Sequence, residues 1–132
     1  MAGAGAAILL AASGACAQLK DPYEGTSEWY PTDGEVAMLP LYCQANLRPS
    51  KVKAPNTSAY GCTVWFNHFC PGLVAANRAM NPAVPKRQRL YYLQAADDHI
   101  RYTRNRLAKT CKLAPDVELA EQRLKMLRAI VK

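Results

Sequence analysis

Apolar residues at three- and four-residue spacing dominate the C-terminal half of the chain. In residues 86–107, Leu93, Ala96, Ile100, Thr103 and Leu107 fall on one stripe. That spacing predicts an amphipathic helix. Tyr91, Ala95 and Tyr102 form a second stripe, and Lys86, Gln94, Asp97, Arg101 and Arg104 make the wet face. So wide an apolar arc predicts a helix held between two neighbours. Asp97 and Arg101 stand four apart with the acid first, a pairing worth about 0.3 kcal/mol on a helix surface. Residues 115–132 predict the last helix. Pro115 suits its first position, and Asp116 and Glu118 suit its first turn. Val117, Ala120, Leu124, Leu127 and Val131 form its inner stripe. Leu119, Met126 and Ile130 form another, which leaves room for a second partner, in this chain or in another.

Upstream the pattern is more broken. Residues 59–80 predict the main helix, with Val64, Asn67, His68, Pro71, Val74 and Arg78 on a broad mixed stripe. Pro71-Gly72 predicts a kink or short break after Phe69. Residues 81–85 (NPAVP) end the segment. Residues 35–47 predict a short helix starting near Leu39, with Pro40 in its first turn. Residues 48–58 carry two prolines among turn residues and predict a loop. Residues 18–34 predict an extended lead-in laid over the domain by Tyr23, Trp29 and Tyr30. Alternating β-branched runs are missing. The expected fold class is all-α: about four helices in antiparallel hairpins.

The 132 residues, half of them hydrophobic, suffice for one core and one domain. Residues 1–17 (MAGAGAAILLAASGACA) have no charge, an apolar centre and small residues at the end. Ala15-Cys16-Ala17 fits the small-x-small pattern before a cleavage, so the segment reads as a signal peptide and the mature chain as starting at Gln18. A lipidated Cys16 is the competing reading, against which Ser13 stands where a Leu-like residue belongs. The apolar run is too short to span a bilayer. The expected organisation is a signal peptide at 1–17, a lead-in at 18–34 and a single helical domain at 35–132. Export leaves Cys43, Cys62, Cys70 and Cys111. An even set in an exported chain predicts two disulfides, with three connectivities open.

The net charge of +7 is uneven, because residues 86–132 hold twelve basic and five acidic groups. For an exported chain the counterpart is an acidic protein or an anionic envelope surface, and nucleic acid is not expected. Arg101 and Arg104, with Tyr91 and Tyr102 on the same helix, are the candidate partner-binding residues, since Tyr is enriched at interfaces. Trp65, Phe66 and Phe69 read as core.

Cys62, His68, Cys70 and His99 form the candidate metal set. On a straight helix Cys62 and Cys70 lie about 12 Å apart, too far for one zinc ion or one disulfide. There is no Cys-x-x-Cys. A small metal or redox protein using Cys70 and His68 is the alternative reading. Asp97 and Asp98 point about 100° apart on a helix and do not make an acid–base pair. The chain has no Gly-rich phosphate loop, no Gly-x-Ser-x-Gly and no His-Glu-x-x-His. No catalytic residue and no cofactor are expected.

The order LPLYC at 39–43, FNHFCPGLVAANRA at 66–79, RQRLYYLQAADDHIRYTRNRL at 87–107 and then a proline-led helix resembles bacterial exported proteins related to the tetratricopeptide-repeat (TPR) proteins. In that group a cysteine ends a short first helix, a His-aromatic-Cys sits in the second, and Asn-Arg-Ala closes it. Here these are Cys43, His68-Phe69-Cys70 and Asn77-Arg78-Ala79, and the resemblance covers 35–132. It implies a TPR-like helical-hairpin scaffold that binds other proteins and catalyses nothing. It also implies a Cys43–Cys70 bridge, which leaves Cys62 to tie the second helix to Cys111. The expected function is a non-enzymatic binding module of the cell envelope. A subunit of a larger membrane-associated complex is the variant that uses the outer stripe of the last helix.

Overall fold

The structure is a computed structural model that describes residues 25–131. The signal-peptide and Cys16 readings, and Tyr23, lie outside the described residues. Within them are five helices: α1 (Asp33–Ala37), α2 (Leu41–Leu47), α3 (Phe69–Met80), α4 (Lys86–Asn105) and α5 (Ala114–Val131). Two 3₁₀ turns, Thr57–Tyr60 and Val64–His68, lie between α2 and α3. The described residues hold no strand, and none of their helices is long and apolar enough to cross a membrane.

Pro40 divides the first helical region. Thr32 caps α1 by accepting from the Glu35 N–H at 3.2 Å, and the Glu35 carboxylate accepts from the Thr32 N–H at 2.8 Å. This reciprocal pair satisfies two orphan donors of the first turn. α2 then starts behind Pro40, whose extended backbone ends the preceding turn.

The predicted main helix is shorter than its pattern. Gly61 adopts φ 74° and closes the first 3₁₀ turn, so Cys62 is not helical. α3 starts only at Phe69, which makes Pro71 its third residue. There its missing N–H is one of the unpaired donors every helix start has, so the predicted kink becomes a helix beginning. The Gly61 break is set by a distant neighbour: a Cβ there would sit 2.5 Å from the Thr110 carbonyl oxygen, and the Thr110 hydroxyl donates to the Gly61 oxygen at 2.8 Å. Gly61→Ala therefore combines a positive φ with a backbone clash. We expect it to lower the unfolding free energy by about 2–3 kcal/mol, and an unchanged urea midpoint would refute the close approach.

α4 packs between α3 and α5, as its wide apolar arc predicts. Arg89 bonds the Ala79 carbonyl at 2.8 Å while Gly72 meets His99 and Ile100, so α3 and α4 run antiparallel. Arg104 reaches Glu118 and Asp97 reaches Arg128, so α4 and α5 do too. The predicted stripes are buried: Leu93, Ala96, Ile100 and Thr103 on α4, and Val117, Ala120, Leu124, Leu127 and Val131 on α5. α3 is the centre of the core, buried at nearly every position.

Two local expectations are corrected. Asp97 does not pair with Arg101: it faces the α5 seam and is taken by Arg128, while Arg101 bonds Asp98 at 2.8 Å. Trp65 is half exposed, because the 3₁₀ turn directs Phe66 and not its neighbour into the core.

Cys43 and Cys70 form a wholly buried disulfide (Cα–Cα 5.5 Å) that fastens α2 to the start of α3. Cys62 and Cys111 form the second (Cα–Cα 4.3 Å), between the two 3₁₀ turns and the α4–α5 connector. Of the three connectivities, this is the one the resemblance implied. Disulfides of this kind belong to an oxidising compartment. α1 is fastened separately: Arg78 of α3 donates to both Glu35 oxygens, at 2.5 and 3.0 Å, and lies 5.2 Å over the Tyr92 ring of α4.

Candidate functional site

The four predicted partner-binding residues do not gather into one patch. Tyr91 is exposed, with the Tyr92 ring beside it. Tyr102 lies three helical turns further on, stacked on His68 at 3.9 Å, with the Arg106 guanidinium also over its ring. Arg101 is exposed beside Asp98. Arg104 is drawn to Glu118 and Glu121 of α5 at 3.4 and 3.7 Å, and so belongs to the helix seam. The predicted metal set is not assembled either. Cys62 and Cys70 are in disulfides and offer no thiolate, so the Cys70–His68 metal reading loses its sulfur ligand. Among the described residues no group of three or more His, Cys, Asp or Glu side chains is placed to hold a metal ion.

A groove of about 420 Å³ runs between the α1–α2 junction and α5, with α3 as its floor. Met38, Leu39, Phe69, Leu73, Leu119 and Ala120 supply its apolar walls. Two polar pairs edge it. The Tyr42 hydroxyl donates to Asp116 at 2.6 Å. Burial, and then the Asp116 carboxylate, push that hydroxyl's pKa far above the ordinary phenol range, so it stays a donor. Arg123 donates to the Asn77 oxygen at 2.8 Å and touches the Met80 sulfur. Burial lowers its pKa, and no described carboxylate pairs with it. From Leu119 (66 % exposed) the apolar surface continues along α5 through Met126 (61 %) and Ile130 (70 %), with Met38 (70 %) across the groove. This is the predicted outer stripe, and nothing described covers it. Arg123 sits on it, four residues after Leu119 and three before Met126, so the sequence held the signal in the form of one cation interrupting an apolar row.

The second cluster joins three segments. His68 Nδ1 and His99 Nδ1 lie 2.9 Å apart, and His99 Nε2 lies 3.1 Å from the Glu28 carboxylate, both His99 and Glu28 being buried. The ring centres are 5.1 Å apart, so the two nitrogens lie almost on the line between them, where a hydrogen bond needs one ring to donate and the other to accept. Trp29 stands edge-on to both imidazoles, at 5.0 and 5.1 Å. The aromatic contact expected of the lead-in is therefore made by Trp29. No sequence signal pointed to Glu28, which lies 71 residues from its partner.

Burial, then His99, then Arg106 hold the His68 imidazole below its ordinary pKa of 6.5. The unfolded chain therefore binds this proton more readily. The stability that His68 contributes is complete above about pH 6.5 and declines as the pH falls below it. We expect Tm to drop between pH 7.5 and pH 5.5, and His68→Gln to flatten that slope. Equal slopes for the two proteins would show that His68 does not set the loss of stability in acid. Comparison with protein-family models, with curated proteins and with solved structures finds no match to this chain.

Proposed function

We propose that this chain is a non-enzymatic, exported binding module of the cell envelope, a TPR-like helical-hairpin scaffold held by two disulfides. The observation that carries the reading is the exposed stripe Leu119–Met126–Ile130 running into a preformed groove. Apolar surface of this kind marks interaction sites on soluble domains. The disulfides fit an exported chain, and the charge of +7 fits an acidic counterpart. Tyr91 and Arg101 on the exposed side of α4 are a secondary contact region. A subunit of a larger membrane-associated complex is the second reading, favoured by the same stripe.

The test is site-specific photo-crosslinking in the native compartment. A crosslinker at Met126 should give a discrete adduct, and one at exposed Lys53 should not. No adduct from Met126 removes the binding-module reading. The intact mass of the same material should show a chain starting at Gln18 and lighter by four hydrogens than its reduced form, and a fully reduced mass would refute export to an oxidising compartment.

A further inference from the structure

We infer that the groove and the α5 stripe take an amphipathic helix from an acidic partner protein, with one carboxylate on its apolar seam meeting Arg123. This rests on the binding-module reading and adds the partner's chemistry. Leu119, Met126 and Ile130 lie within twelve residues of helix, about 16 Å or three turns from first to last. That is the footprint of a helix docked through i, i+3/4 and i+7 anchors. Met126 within it and Met38 across the groove are unbranched and exposed, and such side chains re-form around an incoming surface. Arg123 lies inside this footprint. Docking removes water from a guanidinium whose partners among the described residues are an amide oxygen and a thioether. A cation buried without an opposite charge is strongly unfavourable, so the occupant must bring one. Asp116, the carboxylate at the groove's other end, is held by Tyr42.

Charge also separates the occupants. A second copy docked stripe to stripe would bring the Arg123 of each chain toward that of the other, and neither stripe carries a carboxylate to meet it. A lipid surface is smooth and would leave the recess beneath Leu119 unfilled, with Arg123 turned inward to Asn77. A protein helix fills the recess with a side chain and supplies the carboxylate.

The experiment is a selection of displayed helix-forming peptides, about five turns long and randomised along one face, against the oxidised chain. Enriched peptides should carry Leu, Met or Ile at helical spacing with Asp or Glu on the seam. Arg123→Met should weaken them at least tenfold with circular dichroism unchanged, and Arg123→Lys should retain part of the binding. A parallel selection against Arg123→Glu should place Lys or Arg at the seam position. Enriched apolar seams with no acidic preference overturn the acidic partner and leave the binding module standing. No enrichment at all overturns both. Dimerisation abolished by Met126→Asp assigns the face to a second copy, and binding to phosphatidylglycerol vesicles abolished by the same change assigns it to lipid. Either result overturns the proposal.

Discussion

Replacing Cys43 and Cys70 together by alanine lowers the unfolding free energy by about 4 kcal/mol and Tm by on the order of 15 °C. The bridge spans 27 residues, and both sulfurs are inaccessible to water. Closing a loop of that length restricts the unfolded chain by about 3.5 kcal/mol in the loop-entropy view. Emptying the sulfur positions removes buried contacts as well. The Cys62–Cys111 bridge spans 49 residues, for which the same reasoning gives about 4 kcal/mol. The two spans overlap in sequence, since Cys62 lies inside the first and Cys70 inside the second. Each bridge therefore shortens the loop the other closes, and losing both should be less than additive but enough to abolish folding at 37 °C. Thermal melts by circular dichroism, with and without reductant, read this directly. A Cys43→Ala/Cys70→Ala variant melting within a few degrees of the parent would mean that α2 stays on the core without its bridge.

Glu35→Ala is expected to cost about 3 kcal/mol, although it removes one side chain and no covalent link. Burial alone would raise the Glu35 pKa, but the bonds from Arg78 and from the Thr32 N–H outweigh it and hold the carboxylate below its ordinary value of 4.5. Removing it strands the buried Arg78 guanidinium and opens the cap of α1 at once. Arg78→Met in the same background should recover part of the loss, because it takes away the unpaired charge. No recovery would show that the cap, and not the ion pair, carries the effect. The low carboxylate pKa sets the pH sign. The Glu35 contribution is complete above about pH 4.5 and is lost as the pH falls through the lower folded value. The Glu35→Ala difference should therefore shrink in acid.

The elements that were legible in advance are those defined by neighbours within four residues. The inner stripes of α4 and α5 recur at helical spacing, and every one of their residues from Leu93 to Val131 is buried or, like Leu107, partly so. The outer row Leu119, Met126 and Ile130 was equally visible, and it is exposed. All-α architecture and two disulfides followed from the same kind of local reading, joined to the cysteine count. The start of α3 was not legible. Pro71-Gly72 fits a kink as well as a first turn, and the Thr110 carbonyl that requires Gly61 lies 49 residues away.

Side-chain partnership stayed out of reach for the same reason. Asp97 had an acceptable local partner in Arg101, and only the packing of α5 beside α4 offered Arg128 instead. Arg78 and Glu35 are 43 residues apart, and His68 and His99 are 31 apart. Periodicity decides which side of each helix is apolar, because that depends on 3.6 residues per turn and nothing further away. The choice of which ion pairs form, which imidazoles meet and which cation edges the groove depends on where the helices finally lie against one another, and tertiary packing alone settles it.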